Sequence, residues 1–322
     1  MGSNWKMMQI KEMAGRPVPG TQALPAPGPG QVLVRIHAAA LNFADLLMTT
    51  GRYQETPALP FIPGLEGAGE ILAAGPGVDL TPGTRVAVQA QGTMAEANLF
   101  AAADCHPIPE GMGYDEAAGF LIAYGTSHFA LTLRAGLRPG ETLAVLGAAG
   151  GVGLTAVEIG AALGARVVAV ARGEDKLAVA RAAGAAVCID SDTCPDLRAA
   201  LRELGGVDVV YDPVGDAPGA AAFGALRAGG RFLVIGFAGG KPPALPLNHA
   251  LVKNIAIHGF YWGGYRKLDP ALLRQDIQAL FALYAQGKLR PHVGATVTLD
   301  RLAEGYDLLE SRRSTGKVIV ST

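Results

Sequence analysis

Residues 144–172 read AVLGAAGGVGLTAVEIGAALGARVVAVAR, with six glycines and no proline in a stretch patterned as strand, helix, strand. Within it, Gly151-Val152-Gly153-Leu154-Thr155-Ala156 fits G-x-G-x-x-A, placed after an apolar strand and opening a helix. Gly151 allows a turn that a Cβ would obstruct, and Gly153 lets the backbone approach a pyrophosphate. The free N–H groups and positive dipole end of the helix then hold the anion. Gly150, Gly151, Val152 and Gly153 are thus candidate cofactor-binding residues. Glycines also serve helix–strand packing, so the surroundings decide.

Those surroundings alternate. From about residue 121, the apolar runs TLAVLG, RVVAVA, AVCID, VDVVYD and RFLVIGF are separated by helical stretches rich in Ala and Leu. Continuous apolar strands spaced by helices indicate a parallel sheet covered on both faces. NIAIHGFYW reads as one more strand. Before residue 120 the texture is short β-rich pieces broken by Pro and Gly, with strands expected at 31–40, 68–75 and 84–90. The tail suggests a helix over 270–286, a strand over 293–299, a helix over 302–311 and a final strand KVIV. The expected organisation is residues 1–120 as a β-rich domain, 121–260 as a doubly wound nucleotide-binding domain, and 261–322 returning to the first.

The strand after the glycines bears on the choice of nucleotide. An NAD site places Asp or Glu about 20 residues after the glycines, on the ribose hydroxyls. Here Ala171 holds that place, followed by Arg172 and, one turn on, Lys176. With no carboxylate to repel a 2′-phosphate and two cations to receive it, NADP(H) is favoured, although Glu174 and Asp175 lie nearby. Solvated charges at a helix start are the alternative reading of Arg172 and Lys176.

Bulk composition narrows the class. The 322-residue chain is 50% hydrophobic and 17% charged, with a formal net charge of −1 and scattered basic residues. That balance disfavours nucleic acid as a partner. No apolar run is long enough for a membrane span, and MGSNWKMMQIKEM lacks the apolar core of a signal peptide. Cys105, Cys188 and Cys194 form an odd, unpatterned set, which points to a reducing cytoplasm.

The stretches LNFADLLMTTGRYQ, LPFIPGLEGAGEI, AAGGVGLTAVEIGAALGARVVAVA, VVYDPVG and STGKVIV together resemble the zinc-free quinone oxidoreductase (zeta-crystallin-like) branch of the medium-chain dehydrogenase/reductase superfamily. The match spans almost the whole chain and is weakest over the first thirty residues. It implies an α/β protein in which a GroES-like catalytic domain is interrupted by a Rossmann domain. It also implies an NADPH cofactor and a homodimer joined through Rossmann sheet edges, NIAIHGF being the edge strand. Zinc alcohol dehydrogenases of the superfamily carry metal ligands where this chain has Asn42, Leu65, and Leu121 or Ile122. A leucine has no lone pair to give a metal.

The resemblance places Asn42 and Tyr53 at the catalytic cleft as donors toward nicotinamide or acceptor, and Thr126 near the carboxamide. Gly236 and Phe237 would wrap the dinucleotide, Tyr261 and Trp262 would border the nicotinamide, Lys317 would reach cofactor phosphates, and Ser191 would stand beside the adenosine ribose. Local packing accounts for several of these equally well. Asp45 and Glu66 are read as structural hydrogen-bonders. Without a metal, the cofactor carries the hydride chemistry to a quinone or activated alkene, and the protein binds and orients. A reductase of α,β-unsaturated carbonyls or a weakly catalytic crystallin- or RNA-binding-like protein are the other readings, separable by a quinone and enone panel and by RNA retention.

Overall fold

The computed structural model describes residues 4–322; residues 1–3, part of the N-terminal stretch read above, lie outside the described residues. The fold divides into two compact units: one runs to Ile122 and resumes over Pro291–Thr322, and the other is Ala123–Arg290.

The first unit opens with a hairpin of β1 (Asn4–Gln9) and β2 (Val18–Ala23). The interruption of β2 by Pro19 and Gly20 hid it from the sequence pattern, since such residues belong to strand edges. Then follow β3 (Gln31–Leu41), β4 (Glu66–Ala74), β5 (Arg85–Val88), β6 (Ala97–Ala101) and β7 (Cys105–Pro107). β3 alternates at its start, burying Val32, Val34 and Ile36, and is buried continuously from Ala38 to Leu41. Its first half pairs antiparallel with β4 and β6, and its second half lies between β4 and the final strand Lys317–Ser321, deep in the sheet.

The second unit holds β8 (Thr142–Leu146), β9 (Arg166–Ala171), β10 (Val187–Asp190), β11 (Val207–Asp212), β12 (Leu226–Val234) and β13 (Ala256–Gly259). All pairings are parallel, in the order β10-β9-β8-β11-β12-β13. This is the doubly wound order whose switch point falls between β8 and β11, where such sheets bind ligands outside the carboxyl ends of their strands. β8 is buried at every position, as a strand covered on both faces requires. β13 stops at Gly259, so Tyr261 and Trp262 fall in a turn rather than in the longer strand read from NIAIHGFYW.

The chain returns to the first unit with β14 (Val293–Thr298) and β15 (Lys317–Ser321), which extend the sheet as β14-β15-β3-β4-β5-β7. Helix Pro270–Ala285, assigned to the tail by sequence, belongs instead with the parallel sheet. The reason is a buried contact: Asp276 on that helix lies 2.5 Å from His128 Nδ1.

Candidate functional site

The quoted glycines form a turn and a helix start. β8 ends at Leu146, and Gly147 takes φ +58°, a left-handed conformation that costs other residues about 1–2 kcal/mol. Helix Gly151–Ala162 follows, with Gly150 as its N-cap and its carbonyl accepting from Leu154 N–H at 2.8 Å. A Cβ on Gly153 would stand 2.2 Å from the Gly147 carbonyl oxygen. Gly153 therefore lets the helix close on its own turn: the space a side chain would need is filled by the Gly147 carbonyl. Farther along, a Cβ on Gly160 would meet Leu143 at 2.6 Å, so the helix lies tight on β8. The N–H groups of Gly151, Val152 and Gly153 open the helix and have no acceptor within it. They form a donor set for an anion.

The other candidates of this unit gather at the carboxyl ends of its strands. Ala171 ends β9, Arg172 follows it exposed, and Lys176 lies in the first turn of helix Glu174–Ala182. Glu174, the nearest acid of concern, is held by Arg181 at 2.6 and 3.0 Å, and that guanidinium keeps its carboxyl below the usual range. Ser191 is exposed just past β10, where Asp190 fixes the turn by accepting from Gly173 and Asp192 N–H, each at 3.0 Å. Gly236 and the exposed Phe237 follow β12 on a loop tied to the β11 loop through Ala238 N–H to Pro213 and Gly239 N–H to Val214. Asp212 anchors that second loop, accepting from Val214 and Gly215 N–H at 2.9 and 2.8 Å.

Tyr261 is exposed, but Trp262 is only 3% exposed. A Cβ on Gly125 would stand 2.4 Å from its ring, so the indole packs on the helix Leu121–Phe129 backbone. Trp262 is thus held by local packing, the alternative reading of this residue. Thr126 sits on that same helix, next to Gly125 and largely buried.

In the first unit, Asn42, Glu66 and Lys317 meet. Lys317 Nζ donates to Leu41 O at 3.0 Å, Asn42 Oδ1 at 2.7 Å and Glu66 Oε1 at 2.8 Å. An ammonium has three donors, and all three are engaged. Lys317 is 7% exposed, so the phosphate contact implied by the resemblance finds no free donor. Asn42 Nδ2 donates to Glu66 Oε1 at 3.0 Å, and Glu66 Oε2 accepts from Ile122 N–H at 3.0 Å. Asp45 accepts from Asn42 N–H at 2.8 Å and Gly64 N–H at 3.2 Å; burial pushes its carboxyl up to about 7 against these bonds. Tyr53 packs half-buried on Ile10, Met48 and Phe61 beside Leu65.

A zinc ion does not fit this donor set. Among the described residues no three His, Cys, Asp or Glu side chains converge to hold a metal. Leu65 faces an apolar cluster, and the Lys317 ammonium already supplies the cation between Asn42 and Glu66.

Sequence reading missed three buried polar groupings: His128 with Asp276, Tyr124 with Glu158 at 2.5 Å, and the hydroxyls of Ser127, Thr155 and Tyr211. No motif joins them; only the buried helix positions of Tyr124 and Ser127 hinted at partners.

An interrupted first unit around a doubly wound sheet, with a glycine turn at its switch point, defines a dinucleotide-binding protein of two-domain type. The family model for the alcohol dehydrogenase GroES-like domain matches residues 28–132, and that for zinc-binding dehydrogenase matches 151–285. The chain is 37% identical over 303 residues to quinone oxidoreductase-like protein 2 homolog of Nematostella vectensis, covering 92% of this chain and 82% of that protein. It is 36% identical over 319 residues to quinone oxidoreductase-like protein 2 of Mus musculus, covering 98% and 89%. Among solved structures, the quinone oxidoreductase of Thermus thermophilus, also determined with NADPH, superposes with a TM-score of 0.86 at 32% identity over 98% of this chain and all of that one. The chain belongs to the quinone oxidoreductase branch of the medium-chain dehydrogenase/reductase superfamily.

Proposed function

We propose that this protein is an NADPH-dependent, zinc-independent oxidoreductase that reduces quinones. The observation that carries the reading is the pairing of the open N–H groups at Gly151–Gly153 with a β9 that ends in Ala171, followed by Arg172, rather than in a carboxylate. The residues fit the cofactor: amides at the helix start for the pyrophosphate, Arg172 and Lys176 for a 2′-phosphate, Ser191 beside the ribose, and Gly236, Phe237 and Tyr261 along the dinucleotide. The bound cofactor supplies the hydride. The NADPH complex of the Thermus relative supports the assignment.

The chain's own contribution is orientation. Asn42 is held by Lys317 and Glu66, which leaves the second N–H of its amide for an acceptor oxygen. Tyr53 offers a hydroxyl donor, and Thr126 a hydroxyl to the carboxamide. Such donors stabilise charge developing on the acceptor oxygen. Asp45 and Glu66 spend their oxygens on backbone and ammonium partners, so protons for the product come from water.

The protein works as a homodimer. Among the described residues β13 pairs only with β12, and Leu247, Leu251 and Val252 on the preceding helix Leu247–Lys253 are 68%, 79% and 79% exposed. An unpaired strand edge and exposed apolar side chains suit a second copy of the same sheet. Three free thiols fit a cytoplasmic setting, and no helix among the described residues is long and apolar enough to cross a membrane.

A panel of quinones and enones assayed with NADPH and NADH tests the reading. Turnover of quinones, faster with NADPH, supports it; activity confined to enones assigns the protein to the alkenal reductases instead.

A further inference from the structure

We infer that the buried hydroxyls of Ser127, Thr155 and Tyr211 form a positioning latch that sets the glycine turn and the Thr126 helix in one register for the cofactor. This rests on the NADPH reading above. Ser127 Oγ lies 2.7 Å from Thr155 Oγ1, 2.9 Å from Tyr211 Oη and 2.9 Å from Val152 O. Thr155 Oγ1 lies 3.0 Å from Val152 O and 3.1 Å from Ala123 O.

The proton count resolves into a direction. Tyr211 has Ser127 as its hydroxyl partner, and burial raises its phenol, so it stays protonated and donates to Ser127 Oγ. The 2.7 Å contact between Ser127 and Thr155 carries one proton, so Thr155 donates to Ser127 Oγ and Ser127 to Val152 O. Three donors meet acceptors with no charge involved. Ser127 and Tyr211 are fully buried and Thr155 is 5% exposed, where apolar side chains of similar size would also pack.

Placement distinguishes a latch from ordinary satisfied core hydroxyls. Val152 belongs to the first helical turn, whose N–H groups face the pyrophosphate. Ser127 adjoins Thr126, on the carboxamide side. Tyr211 precedes Asp212, which holds the Val214–Gly215 loop. One knot therefore ties the three elements that carry the two ends of the dinucleotide. Small misplacements of such groups cost catalysis steeply.

The test uses the full chain with Ser127→Ala, Tyr211→Phe and the double variant. Dissociation constants for NADPH, NADH and 2′,5′-ADP are measured by fluorescence and calorimetry, with kcat and KM on 9,10-phenanthrenequinone. Ser127→Ala is expected to weaken NADPH and NADH by the same factor, roughly fivefold to tenfold for one lost buried hydrogen bond. It should weaken 2′,5′-ADP less, because that fragment lacks the carboxamide, and kcat should fall with KM raised. Tyr211→Phe should do little in the Ser127→Ala background, since the bond it removes is already gone. If Ser127→Ala does not fold, Tyr211→Phe with Thr155→Val is read the same way. A folded variant with unchanged dissociation constants, or independent and additive effects of the two substitutions, overturns the latch. Wild-type protein that does not bind NADPH overturns the functional reading together with it.

Discussion

The Lys317 ammonium stands 2.7 Å from the amide oxygen of Asn42, across 275 residues of sequence, and saturates its remaining donors on Leu41 and Glu66. The contact fixes which way the Asn42 amide points, because only its oxygen can face an ammonium and only its nitrogen can face Glu66. Lys317 thus acts on the candidate catalytic residue through orientation. Removing one partner of a buried pair leaves an uncompensated charge and costs about 3–5 kcal/mol. Lys317→Met should lower the urea-unfolding free energy by that order, and folded variant should bind NADPH with the wild-type constant. A selective loss of NADPH affinity without loss of stability would restore the phosphate role.

Arg172 is exposed at the end of β9, free of the Glu174–Arg181 pair nearby. Arg172→Ala should weaken NADPH by roughly 1.5–3 kcal/mol, the range for a hydrogen bond to a charged group, and leave NADH almost unchanged. Calorimetric titration of both cofactors checks it; equal weakening would assign Arg172 elsewhere.

Asp45 is an acid whose folded state keeps its proton to about pH 7, against 3.8 unfolded. Between those values the folded chain binds more protons than the unfolded one, so stability falls as pH rises through the window, by at most about 4 kcal/mol. Unfolding midpoints from pH 4.5 to 8 should decline in the wild type. The decline should be shallower in Asp45→Asn, which cannot ionise. Parallel curves would show that Asp45 is charged throughout.

Leu251 and Val252, on the helix that precedes β13, expose four-fifths of their surface. If the proposed homodimer forms through this face, Leu251→Asp with Val252→Asp should give a monomer by light scattering, with a folded far-UV spectrum. A wild-type monomer at micromolar concentration would contradict the dimer.

Much of this architecture was readable in advance because apolar periodicity reports local burial. The β8–β9 runs, the helix after Gly150 and the tail strand at Lys317 all follow from it. The hairpin at Asn4–Ala23 was not, since Pro19 and Gly20 break the pattern that pairing with β1 overrides. The domain to which helix Pro270–Ala285 belongs depends on His128 meeting Asp276, a contact between distant residues that no periodicity encodes. For the site, the glycine spacing marked where the helix after β8 opens, and Arg172 follows β9 exposed. Lys317 was assigned to a phosphate, although all three of its donors serve Leu41, Asn42 and Glu66. That contact joins residues 275 apart in sequence, which no local pattern encodes.

The central claim is hydride delivery to a quinone from NADPH seated on the glycine turn, without a metal. The direct measurement is the initial rate of NADPH oxidation with 9,10-phenanthrenequinone by protein stripped with a chelator, with zinc content determined on the same sample. The account predicts full activity at negligible zinc, with NADH slower and crotonaldehyde poorly reduced. Activity that vanishes on chelation and returns with added zinc would contradict it.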